Sequence, residues 1–140
     1  MHYIVRYLFA HPHPGLSDYQ LDRGNILQIL LKKMINRIIK GSSFHAAEIE
    51  YALGNLAVQP NFDWGDADFE VSAQFKAYFV NFFKTGNPNG IGAINNKLVH
   101  WPRFVAGEEG QFLRVAKISY AQKDSLRNRF LNLRKIVNQN

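Results

Sequence analysis

Cysteine is absent from the 140 residues. That excludes a disulfide framework, an iron–sulfur site, a thiolate nucleophile and a cysteine zinc site. Long apolar runs are missing as well. A membrane-crossing helix needs roughly 20 predominantly apolar residues, and the unbroken apolar runs here are only a few residues long. Met1 is followed by His2 and Tyr3 without a basic segment, an apolar stretch or a small-residue cleavage site. No secretory signal pattern is present, so the default expectation is a cytoplasmic chain. Internal repeats and low-complexity stretches are absent too.

What is there suits an ordinary globular chain. Hydrophobic residues make up 46% and charged residues 20%, close to the average soluble protein, and the length predicts one domain over residues 1–140. Aromatics reach 14%, with eleven Phe, which is ample core material. The net charge of +6 is uneven: +4 over residues 1–40, −3 over 41–100 and +5 over 101–140. An acidic middle between basic ends makes a poor continuous phosphate-binding face, so no nucleic-acid partner is expected. The same pattern would suit a chain whose ends pack on an acidic partner.

Residues 3–9 are β-branched and aromatic, interrupted only by Arg6, and stop at the His11-Pro12-His13-Pro14-Gly15 loop. They predict a strand buried on both faces in a parallel sheet. Residues 26–40 predict a helix. Asn25 and Gln28 have capping-box spacing, and Gly41 stands where a glycine would close the helix. Leu27, Leu31, Ile35 and Ile38 form one stripe, widened by Ile26, Leu30 and Met34. Lys32, Lys33, Arg37 and Lys40 give it four positive charges and no negative one. The favoured reading packs this stripe on the rest of the chain, ahead of adsorption to a membrane surface.

A short helix is predicted from Ala46 to about Leu53, ended by Gly54, with loop from Gln59 to Trp64. A longer helix over 67–84 starts at Asp66 and closes at Gly86. Its Val71, Phe75, Tyr78, Phe79, Phe82 and Phe83 recur at helical spacing and are expected in the core. Residues 111–118 partly alternate, which predicts an edge strand or hairpin arm. Residues 123–137 predict a basic last helix with Leu126, Phe130, Leu133 and Val137 on one side and a solvated cationic face.

Five histidines are the candidates for chemistry. His11 and His13 would point the same way on an extended backbone, which can suit a metal. Asp18 and Asp22 lie at no recognised ligand spacing, so the pair reads as part of a solvated loop. No metal and no cofactor are expected. His2 and His100 have no supporting pattern. His45 follows a Gly-Ser-Ser-Phe loop and precedes Ala-Ala-Glu. A loop histidine can serve as general base because its pKa lies near neutrality. Spacing alone reads it as a satisfied structural histidine.

The run Ser43-Phe44-His45-Ala46-Ala47-Glu48-Ile49-Glu50-Tyr51 through Gly54-Asn55-Leu56 resembles the histidine region of the type B carboxylesterases, the family that includes the cholinesterases. Its usual form is His-Gly-x-Glu-Ile, an aromatic, then Gly-Asn-Leu. Asn81-Phe82-Phe83-Lys84-Thr85-Gly86-Asn87-Pro88-Asn89 is similar to the family's Asn-Phe-x-Lys-Thr-Gly-x-Pro-Asn stretch. Trp101-Pro102-Arg103-Phe104 and the strand Tyr3–Phe9 resemble two further blocks, in the family's order.

The resemblance implies an α/β class: a C-terminal fragment of an α/β-hydrolase fold, mostly helical with one or two strands. It implies ester hydrolysis through a Ser, Glu or Asp, and His triad in the chain order nucleophile, acid, histidine. His45 matches the third member, which takes the nucleophile's proton and returns it to the leaving alcohol. Glu48 belongs to the motif and is assigned structural support.

There are departures. No Gly-x-Ser-x-Gly occurs, nor a glycine-rich oxyanion loop. Ala46 replaces the usual glycine, and 26–40 reads as helix where bacterial relatives carry a Pro-, Gly- and Ala-rich loop. A carboxylic ester is therefore expected as substrate only together with an upstream part. Self-association or pairing with an esterase fragment is the expected partner behaviour. The alternative is a non-enzymatic binding module that uses its basic amphipathic helices.

Overall fold

Residues 4–90, 98–105 and 110–138 are described by the computed structural model. Tyr7–Phe9 forms β1, followed by a single turn of helix, α1, at Asp18–Leu21. Next come α2 (Ile26–Ile39), α3 (Ile49–Leu53), a 3₁₀ turn at Leu56–Val58 and α4 (Asp66–Thr85). The hairpin β2 (Gln111–Val115) and β3 (Tyr120–Lys123) precedes α5 (Arg127–Val137). His2 and Tyr3 lie outside the described residues.

The sheet order is β1-β2-β3. Tyr7, Leu8 and Phe9 pair in parallel with Leu113, Arg114 and Val115, and β2 pairs antiparallel with β3. Of the two expectations for this segment the hairpin arm is found, whereas the edge position is not, since β2 is central among the described residues. Its partner lies about a hundred positions away, beyond the reach of local alternation. Leu113 and Val115 are buried, whereas Phe112 and Arg114 are half-buried on the opposite face.

The expectation that β1 is buried on both faces is overturned. Leu8 is 48% exposed and Tyr7 39%, because among the described residues the buried cluster packs on the face that carries Phe9 and leaves Leu8 on the other. The core lies between one face of the sheet and α3 and α4. Phe9, Leu113 and Val115 meet Tyr51, Val71, Phe75 and Tyr78, with Trp101 beside them. Phe75 is fully buried, and its ring stands 5.1 Å from Tyr7 and 6.0 Å from Phe9. The predicted stripe of α4 is only half used, since Phe82 and Phe83 remain exposed.

Local signals set the helix ends. The capping box of α2 is formed, with Gln28 N–H donating to Asn25 Oδ1 at 3.0 Å and Asn25 N–H to Gln28 Oε1 at 3.1 Å. In α4 the cap is Gly65, one residue earlier than predicted, and its N–H donates to Asp68 Oδ2 at 2.8 Å. Gly86 closes α4 in the left-handed region at φ 72°, where glycine meets no Cβ penalty.

Neither α2 nor α5 buries a residue. The expected packing of the α2 stripe on the chain is not found. Leu27 is 73% and Ile38 72% exposed. The body-facing positions are Ile29, Lys32, Asn36 and Ile39, held by Leu16 N–H donating to Asn36 Oδ1 at 2.7 Å and by Lys32 Nζ donating to the Gln20 and Arg23 carbonyls. Two polar anchors orient the helix, so its apolar arc turns outward. The described residues contain no helix long and apolar enough to cross a membrane. The accessible surface is 9909 Å². Surface scaling for a compact chain of 16.1 kDa gives about 7,400 Å², so this chain exposes roughly a third more.

Candidate active site

The loop carrying His45 is seated by three hydrogen bonds. Ser43 Oγ donates to the Phe9 carbonyl at 2.8 Å. His13 N–H donates to the Ser42 carbonyl, and Gly41 N–H to the His13 carbonyl, each at 2.9 Å. Phe9 ends β1, so the loop is docked at the carboxyl end of the parallel strand pair. Open α/β sheets place their ligands outside that end.

Beyond His45 the chain turns sharply. Ala47 N–H donates to the Phe44 carbonyl at 3.2 Å, and Ala46 takes φ 66°, the one non-glycine residue with positive φ among those described. Ala47 is buried, and two residues later α3 begins and sinks Tyr51 into the core. The backbone on both sides of His45 is therefore fixed while its imidazole is exposed. It has no hydrogen-bond partner among the described residues. The spacing-based reading of a satisfied structural histidine does not hold.

Glu48 lies beside the Tyr7 hydroxyl and so braces the start of α3 against β1. Burial raises the Tyr7 pKa, and the Glu48 charge and hydrogen bond raise it further. An apolar cavity of about 130 Å³ is lined by Val5, Tyr7, Tyr78, Phe79, Pro88 and Trp101. That is well below the roughly 300–1,000 Å³ of a typical small-molecule site, and His45 is not in its wall.

His11 and His13 are not in a solvated loop; both are buried. Nε2 of His11 meets Asp68 Oδ1 at 2.9 Å. The Tyr51 hydroxyl donates to the same oxygen at 2.5 Å. His13 sits among the rings of Phe44, Phe62 and Trp64, with centroids 4.5–5.2 Å away. Its Nδ1 accepts from Gly15 N–H at 3.2 Å, and burial lowers its pKa. The two rings are thus recruited into separate structural jobs. Among the described residues no group of three or more His, Asp or Glu is placed to hold a metal ion. Sequence reasoning missed this cluster because His11 and Asp68 lie 57 positions apart. Asp68 carried only the signal of an acid near a helix N-terminus.

A sequence profile described as the carboxylesterase family matches residues 6–134. Human bile salt-activated lipase is 36% identical over 90 residues, covering 62% of this chain and 11% of that protein. Among solved structures, an esterase from Clostridium hathewayi, described as hydrolysing aliphatic aromatic polyesters, superposes with a TM-score of 0.59 at 15% identity, covering 90% of this chain and 20% of the other. The carboxylesterase of Geobacillus stearothermophilus superposes with a TM-score of 0.53 at 16% identity, over 90% of this chain and 21% of that one. The fold is α/β, a segment of the α/β-hydrolase architecture. The chain spans about a tenth of the curated relative's length and about a fifth of the solved esterases.

Proposed function

Since this chain belongs to the carboxylesterase family, we propose that residues 1–140 are the C-terminal part of a carboxylic ester hydrolase domain and supply its general base, His45. The observation that carries the reading is the seat of His45. An exposed imidazole stands on a backbone pinned to the carboxyl end of β1, at the matching position of the family pattern. In an assembled domain it would take the proton of a serine attacking the ester carbonyl, then return it to the leaving alcohol.

The 140 residues contain no nucleophile elbow, so the chain alone forms no acyl-enzyme. The edge of β1 that no strand pairs among the described residues, the exposed Leu8 and the surplus surface support pairing with the upstream strands and helices of such a domain. Removing the nucleophile of a serine protease triad costs on the order of a millionfold in rate. A fluorophosphonate probe should therefore leave the purified chain unlabelled. Mixed with a separately produced upstream segment of a related carboxylesterase, the chain should restore hydrolysis of a short-chain aryl ester, and His45→Ala should abolish the restored rate. Labelling of the chain alone, or a restored rate indifferent to His45→Ala, overturns the assignment.

A further inference from the structure

We propose that α2 is an interfacial helix that lies on an anionic lipid surface. The helix is inside out for a soluble protein. At about 100° per residue, Leu27, Leu30, Leu31, Met34, Ile35 and Ile38 share one arc. That arc points away from the body, which holds the helix through Lys32 and Asn36. Five of the six side chains are at least half exposed, and Ile35 is 39% exposed. Among the described residues nothing covers this arc, whereas sunk among acyl chains it gains the full hydrophobic term.

Charge selects the occupant. The helix and its cap carry four cations and no acid. Lys33, Arg37 and Lys40 border the apolar arc along one edge, where headgroup phosphates would stand. Lys33 has only an exposed contact with Asp22 at 3.4 Å, worth little in water. A second copy packed α2 against α2 would set these cations against themselves, with no carboxylate on either helix to pair them. An anionic bilayer presents the opposite charge along the whole edge, and the long lysine and arginine stems can keep their heads at its surface.

The test uses the whole 140-residue chain and sedimentation with two vesicle types, phosphatidylcholine alone and phosphatidylcholine with phosphatidylserine. Strong partitioning to the anionic vesicles, weakened by added salt, is expected. Arg37→Gln with Lys40→Gln should lower it about 30-fold, at about fivefold per cation near the surface. Leu27→Ser with Leu31→Ser should lower it about a hundredfold. Neither pair touches the core, and circular dichroism checks that both variants fold. Equal or negligible binding to the two vesicle types overturns the proposal, as does anionic binding undiminished in both variants. A concentration-dependent dimer that the leucine variant dissolves, without vesicle binding, would assign the face to a second copy instead. None of these outcomes depends on ester hydrolysis.

Discussion

The Tyr51 hydroxyl and the Asp68 carboxylate meet at 2.5 Å in the core, joining α3 to the first turn of α4. Burial first, then the hydrogen bond and charge of Asp68, push the Tyr51 hydroxyl well above the usual phenol range. Asp68 also receives the His11 ring on Oδ1 and the Gly65 N–H on Oδ2. One carboxylate thus links the loop after β1, the helix that follows His45 and the cap of α4.

Asp68→Ala leaves the Tyr51 hydroxyl and the His11 ring buried without this acceptor. The loss should be about 3–5 kcal/mol, the scale of breaking a buried pair from one side. The urea midpoint of the variant measures it. A midpoint equal to that of the parent would show that the cluster contributes nothing to stability.

Ala46 occupies the left-handed region at φ 66°, where a Cβ meets the following carbonyl. Ala46→Gly should therefore stabilise the chain by about 1 kcal/mol, net of the entropy glycine adds to the unfolded state. Urea denaturation reads the gain, and a loss of stability would mean that the turn relaxes without strain.

His13 sets an acid limit. Burial lowers its pKa, opposed by the charges of Asp68 and Glu50 and reinforced by His11. Below the ordinary imidazole value of about 6.5, the unfolded chain takes a proton that the folded His13 refuses. Stability should therefore fall as pH drops through that window and be retained above it. His13→Asn keeps an acceptor for the Gly15 N–H and should show a smaller drop in urea midpoint between pH 8 and pH 5. An unaltered drop would place the acid sensitivity elsewhere.

The helices were legible where their signals are local. Asn25 and Gln28 make their capping box, and Gly54 and Gly86 close their helices in the left-handed region. Tertiary choices were not legible. Residues 26–39 show the same apolar stripe whether it faces inward or outward, and the decision rests on Lys32 and Asn36 finding partners in the preceding segment, at Leu16, Gln20 and Arg23. His45 stood out through the surrounding motif, since its bare spacing read as structural. The burial of His11 depends on Asp68, which no spacing rule connects to it.

The one-sided core has a thermodynamic consequence. Denaturant slopes and unfolding heat capacities scale with the area newly uncovered on unfolding. A polypeptide that already wets a third more area than a compact one of its mass has less left to uncover. Its melting should accordingly be broad and its urea slope shallow for its length. Both sharpen whenever a lipid surface or a complementary segment covers the outer faces.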